Sequence, residues 1–186
     1  MTITLRRAQL ADAAALPAIE RSAAALFRND PSLAWLADAP VTDAQQHLRA
    51  IETADVWVAQ SAEGVLAGFL SAEQVDHQLH IQELSVSQHF QGRGIGRKLL
   101  LAAIEHARKR EIGGLTLTTF RDVPWNEGFY RRLGFKTLSL AETTPRLLAI
   151  LREEVAHGLP GERRCAMCLR LSQARPIRKM PTSYKL

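Results

Sequence analysis

The clearest chemistry in the 186-residue chain lies in a glycine-rich turn between a predicted strand and a predicted helix, Leu84-Ser85-Val86-Ser87-Gln88-His89-Phe90-Gln91-Gly92-Arg93-Gly94-Ile95-Gly96-Arg97-Lys98. Glycines let successive backbone N–H groups converge on one point, and the start of the helix adds the positive end of its dipole. Arg93, Arg97 and Lys98 bring full charges to the same place. These groups suit a phosphate or pyrophosphate; the plainer alternative is a tight turn feeding a core helix. A Walker A loop needs Lys-Ser/Thr after its last glycine, whereas Gly96 is followed by Arg97-Lys98-Leu99. A dinucleotide fingerprint needs G-x-G-x-x-G after the first strand and an acid about 20 residues on. Here the spacing is G-x-G-x-G, several predicted strands precede it, and no acid ends the next strand.

Three other groups of residues invite a chemical reading. Asn126 and Tyr130 are four apart and share one face of a predicted short helix, while Trp125, Phe129 and Leu133 fall on a neighbouring stripe that can anchor it. Glu83 sits in the apolar run HIQELSV, where alternation puts Ile81, Glu83 and Ser85 on one face and Gln82, Leu84 and Val86 on the other. A buried acid there is costly unless it has work or partners; the alternative is a salt-bridged or edge-exposed glutamate. Cys165-Ala166-Met167-Cys168 has C-x-x-C spacing, but a zinc site needs four ligands and none pair with it. On a strand the two thiols point to opposite faces, so both read as structural. The six histidines show no ligand spacing, and no metal is expected; His80, near Glu83, is a candidate for proton relay.

Positioning these residues requires a scaffold, and the patterns supply one. Strands are predicted over 2–8, 55–60, 65–72, 80–86, 115–119, 135–138 and 164–171. Helices are predicted over 12–27 with Asp12 as N-cap, from Thr42 through Ile51, over 94–110, after Asp122 with Pro124 in the first turn, and over 144–157. Ser61-Ala62-Glu63-Gly64 is a hairpin signal. The sum is an α/β chain of α+β type: an early, mostly antiparallel sheet, then one strand–helix–strand unit, in one domain over 1–171.

Composition bounds the rest. At this length a single domain buries roughly 70% of its unfolded surface without disulfide or metal. Two cysteines are too few for a secreted disulfide scaffold. No apolar run reaches the roughly 18 residues of a membrane span. The stretch after Arg6-Arg7 is interrupted by Asp12, Pro17, Glu20 and Arg21, so a cytoplasmic location without membrane contact is expected. Four of the five net positive charges belong to the Pro-containing segment 172–186, read as a flexible basic tail, which leaves +1 for the rest. That balance is weak evidence for a nucleic-acid partner, and none is expected.

Gln91-Gly92-Arg93-Gly94-Ile95-Gly96 resembles the Q/R-x-x-G-x-G/A pyrophosphate loop of the GNAT superfamily of acetyl-CoA-dependent N-acetyltransferases. Trp125-Asn126-Glu127-Gly128-Phe129-Tyr130-Arg131-Arg132-Leu133-Gly134-Phe135 is similar to that superfamily's N-x-x-x-x-Y-x-x-x-G-F segment, in matching order and spacing. The resemblance runs over most of residues 2–171 and is strongest over about 80–138. It implies a mixed, mostly antiparallel central sheet of about seven strands flanked by helices, with acetyl-CoA as co-substrate. It further implies Tyr130 as general acid toward the CoA sulfur, Glu83 as base, and cofactor contacts from Gln91, Gly92, Arg93, Gly94, Ile95, Gly96, Asn126 and Phe129. The backbone of Leu84 and Val86 would hold the pantetheine arm. The acceptor, a small-molecule amine, would lie against Phe27 and Trp35, with Leu36 nearby and Asp30 or Asp38 attracting its charge. The 144–157 helix would cover the cleft. A homodimer is compatible with the sequence. Two other readings stay open: a protein lysine or N-terminal acetyltransferase, and a non-catalytic acyl-CoA sensor.

Overall fold

A computed structural model describes residues 2–171; the expected basic tail, 172–186, lies outside the described residues. The strands are β1 (Ile3–Arg7), β2 (Asp55–Ser61), β3 (Leu66–Val75), β4 (Gln78–Val86), β5 (Gly114–Phe120), β6 (Lys136–Thr137) and β7 (Arg164–Arg170). They form one seven-stranded sheet in the order β1-β2-β3-β4-β5-β7-β6, antiparallel except where β4 runs parallel to β5. The helices are α1 (Leu16–Ala24), α2 (Ala44–Thr53), α3 (Ile95–Lys109), α4 (Glu127–Arg131) and α5 (Pro145–Ala156). The seven-strand expectation and the single strand–helix–strand crossover through α3 are met.

Periodicity decides which face each helix covers. On α3, Ile95, Leu99, Leu100, Ala103, Ile104 and Ala107 are buried as one stripe against Trp57, Leu70, Leu79, Ile81, Leu115 and Leu117 of the sheet, with Tyr130 and Phe135 in the same core. The opposite face carries Val58 and Phe69, which Leu16 and Ile19 of α1 cover. α5 lies against β5 and β7. No helix among the described residues is long and apolar enough to cross a membrane.

Several local expectations are corrected. The first helical region starts earlier and is mixed, with short 3-10 helices over Leu10–Ala15 and Ala25–Asn29 flanking α1. Asp12 is not its N-cap: the cap is Gln9, and the Asp12 carboxylate accepts the Gln9 N–H at 2.7 Å and pairs with Arg6 at 2.7 Å. Asp43, not Thr42, caps α2 by accepting the Gln46 N–H at 2.7 Å. Asp122 does not cap α4; it takes a left-handed φ of 54° and hands its N–H to Glu127, so the helix starts only after Asn126.

Candidate functional site

Parallel pairing between β4 and β5 covers only Gln78–His80 against Gly114–Thr116. Beyond His80 the strands part, and the sheet opens into a cavity of about 740 Å³ lined by residues of α1, β4, the glycine turn, β5, α4, α5 and β7. The Ser87 N–H bonds back to Ala67 O on β3, so the alternation of a strand turns the main-chain groups of Leu84 and Val86 toward the open side. Gln91 Nε2 donates to Val86 O at 2.9 Å, which ties the glycine turn to that edge.

At one end of the cavity the turn enters α3. Gly92 and Gly94 have φ of 73° and 75°, a conformation that L side chains rarely adopt, and Gly94 is the N-cap of α3. The first N–H groups of α3 therefore lack helical partners at the cavity, beside Arg97. Gln91, Gly92, Gly94, Ile95, Gly96, Asn126 and Phe129 all line it. Arg93 does not; its guanidinium lies 5.8 Å from the Phe90 ring centroid. A Cβ on Gly96 would meet Phe129 Cζ at 3.6 Å, an ordinary contact, so this glycine is a spacer more than a necessity.

Glu83 and Tyr130 approach the gap from opposite faces of the sheet. A bulge does this. Ser71 pairs with Glu83 but Ala72 pairs with Ile81, leaving Gln82 extra and exposed. Ile81 therefore faces α3 with Leu84 and Val86, which corrects the simple alternation that grouped it with Glu83 and Ser85. Glu83 accepts the Ser85 hydroxyl at 2.7 Å. Burial and the neighbouring Glu20 push its carboxyl up to about 7, with Ser85 and Arg164 opposing. Tyr130 is buried in the α3 core between Phe129 and Phe135, with ring centroids at 5.1 and 5.7 Å. Burial, then Glu83, raises its phenol well above the ordinary value, so it keeps its proton at neutral pH. His80, the candidate for proton relay, is outside the cavity lining, and its Nδ1 shares a 3.0 Å hydrogen bond with Thr116; burial lowers its pKa to about 4.

The other end is walled by Phe27, Leu36, Phe120, Trp125 and Leu159. Phe27 stacks edge-on against Phe120 and Trp125 at 5.5 and 6.3 Å. Trp35 is not part of this wall: it stands 47% exposed, because the 3-10 helix Ala34–Asp38 buries Ala37 and turns Trp35 outward. Asp30 and Asp38 are likewise away from the lining, paired with Arg163 at 2.7 Å and Arg28 at 2.6 Å. Sequence reasoning missed the groups that are there. Arg164 lies 4.4 Å from the Phe120 ring centroid and binds Glu154 of α5 through Nε and Nη2, both at 2.8 Å, and Thr118 donates to the same carboxylate at 2.5 Å. Glu20 of α1 accepts the Thr42 N–H at 3.2 Å and faces His47 Nε2 at 3.3 Å. Nothing in local spacing marks these residues; only the topology brings them together. Cys165 and Cys168 are free thiols on β7, both with raised pKa, and no metal-ligating cluster occurs among the described residues.

Comparison with known proteins agrees with this architecture. The family model described as Acetyltransferase (GNAT) family matches residues 21–135. Streptothricin acetyltransferase of Streptomyces lavendulae is 39% identical over 82 residues, 42% of this chain and 43% of that protein, so the match spans less than half of the relative's length. Among solved structures, the PaiA N-acetyltransferase of Thermoplasma acidophilum in complex with coenzyme A superposes with a TM-score of 0.68 at 19% identity, covering 92% of this chain and all of that one. The ribosomal-protein-S18-alanine N-acetyltransferase of Escherichia coli gives 0.66 at 18% identity, covering 99% and 100%. At these identities the two structures speak to the fold.

Proposed function

The chain belongs to the GNAT acetyltransferase family, and on that premise we propose that it transfers an acetyl group from acetyl-CoA to a primary amine of a small molecule, by direct attack in a ternary complex. The observation that carries this reading is the parting of β4 from β5 beside the α3 glycine turn, with Glu83 and Tyr130 reaching the gap from opposite sides. The donor set fits the co-substrate. N–H groups at the α3 start, with Arg97 beside them, suit a pyrophosphate, and the open main-chain edge at Leu84 and Val86 suits an amide-bearing arm. Phe129 and Asn126 complete that channel, while Arg93 lies outside the lining, beside Phe90. When bound, acetyl-CoA supplies the activated thioester.

The chain's own residues do the rest. An alkyl amine has a pKa near 10.4 and arrives as an ammonium. Glu83, held near neutrality, takes its proton, and the freed lone pair attacks the carbonyl carbon. An N–H of the open β4 edge faces the developing oxyanion. As the C–S bond breaks, Tyr130 gives its proton to the sulfur; the attacking nitrogen sheds its second proton, which restores the phenol, and Glu83 releases the first to solvent. α5, fastened to β7 through Glu154 and Arg164, closes one side of the cleft, which favours a small acceptor over a protein chain. The reading goes with a single catalytic domain over 1–171 and a cytoplasmic enzyme.

Free-thiol release from acetyl-CoA against an amine panel and a peptide panel tests it. Turnover confined to small amines is expected. Turnover confined to peptides would transfer the assignment to a protein acetyltransferase, and binding of acetyl-CoA without any turnover would leave only a sensor.

A further inference from the structure

The acceptor end of the cleft carries one carboxylate that the transfer mechanism leaves unused. Glu20 of α1 lines the same cavity as Glu83. Its position is fixed from behind: Oε1 accepts the N–H and hydroxyl of Thr42 at 3.2 and 3.4 Å, and Oε2 faces His47, itself buried edge-on against Phe69 with ring centroids 5.2 Å apart. The charges facing Glu83 come from several elements: Glu20 on α1, Arg164 on β7 and Glu154 on α5, with the hydroxyls of Ser85 on β4 and Tyr130 on α4, and with His47 of α2 behind Glu20. Arg164 and Glu154 spend their charges on each other through two 2.8 Å hydrogen bonds. What remains for a ligand is anionic, in a wall otherwise made of Phe27, Leu36, Phe120, Trp125 and Leu159. Once Glu83 has taken the proton of the reacting nitrogen, a monoamine is neutral and leaves Glu20 without a ligand counter-charge. A second basic nitrogen would keep its proton and meet it.

We infer that the acceptor is an amine bearing a second cationic nitrogen, held by Glu20 while the first meets Glu83, and that Glu20 is the specificity-determining residue of the cleft. This rests on the acetyl-transfer reading above. An acceptor with a carboxylate in place of the second nitrogen is disfavoured by the same carboxylate.

Steady-state kinetics of the full chain with three four-carbon probes (1,4-diaminobutane, butylamine and 4-aminobutanoate) test this. The wild type is expected to prefer the diamine over butylamine by about tenfold or more in kcat/KM, the range of a charge-assisted hydrogen bond, with 4-aminobutanoate poorest. Glu20→Gln keeps the acceptor atom for Thr42 but loses the charge. It should collapse the diamine-to-butylamine ratio toward one through KM, and Glu20→Asp should restore part of it. With the Glu20 charge gone, the acid limb of kcat/KM for butylamine should also move to lower pH, which a merely structural role would not produce. A Glu20→Gln enzyme that keeps the diamine preference, or a wild type that turns over butylamine or 4-aminobutanoate equally well, overturns the inference while leaving acetyl transfer standing. No thiol release with any amine removes both.

Discussion

At the scale of single residues, the placement of Glu83 has opposite effects on function and stability. Its carboxyl is raised to about 7, chiefly by burial and then by Glu20. In the proposed mechanism Glu83 works as a base only when ionised, so kcat/KM should fall as pH drops below about 7, and Glu83→Gln should lose about 10²- to 10⁴-fold in kcat. For stability the sign reverses. The folded state binds this proton more tightly than the unfolded chain does, so ionising Glu83 in place costs stability as pH rises toward and past 7. Glu83→Gln should therefore melt higher relative to wild type at pH 8 than at pH 5; an equal difference at both pH values would show that its carboxyl is not raised. Tyr130 is the complement. Its phenol stays protonated, so Tyr130→Phe should lower kcat by about 10²-fold or more with little change in the KM for acetyl-CoA, read by thiol release. Neither shift is legible in the sequence. Glu83 is visible as an acid in an apolar run, but the bulge at Gln82 that separates it from Ile81 has no local signature, and Glu20 is 63 positions away in the chain.

Among elements, those with strong local signals are legible. The α3 stripe and the glycine turn announce themselves through 3.6-residue spacing and through positions where only glycine is comfortable. Gly94→Ala would place an L side chain at φ 75°, in open space but in a costly conformation. It should destabilise the fold by about 1–3 kcal/mol and weaken acetyl-CoA binding in calorimetry; an unchanged affinity would show that the turn does not hold the pyrophosphate. The start of α4 misleads because Asp122 looks like a cap while Glu127, five residues on, captures its N–H and the Thr137 hydroxyl. The fastening of α5 is invisible because Glu154 and Arg164 meet only after the chain turns back between α5 and β7. Arg164 is 8% exposed, and Glu154→Ala would leave its charge buried and uncompensated. That should cost about 3 kcal/mol or more, while Glu154→Leu with Arg164→Met recovers much of the loss, as denaturant midpoints would reveal. Recovery of stability without recovery of activity would separate the fastening of α5 from the chemistry of the cleft.

For the molecule as a whole, the sheet is built around its own interruption. β1 to β4 form one antiparallel block and β5, β7 and β6 another, joined by a short parallel pairing at Gln78–His80 and by the α3 core beneath. This layout follows from the sequence at the level of element order, since a single strand–helix–strand unit between two antiparallel runs allows only one parallel seam. Where the seam stops depends on side chains from both blocks and shows itself only in three dimensions. A ligand lying in the seam would supply the contacts that the missing ladder does not, tying the two blocks together in the folded state and having nothing comparable to bind when unfolded. At 100 times its Kd, such a ligand stabilises by about 2.7 kcal/mol, which for a domain of this size corresponds to a rise in Tm of roughly 5–10 °C. Coenzyme A titrated into the full chain should therefore raise Tm with the logarithm of its concentration. Gly94→Ala should shift that dependence to higher concentration, whereas Tyr130→Phe should leave it close to wild type if the phenol serves the departing sulfur and not cofactor affinity. A Tm indifferent to coenzyme A at millimolar concentration would mean that the gap between β4 and β5 is not a cofactor channel, and the roles assigned to Glu83, Tyr130 and Glu20 would fall with it.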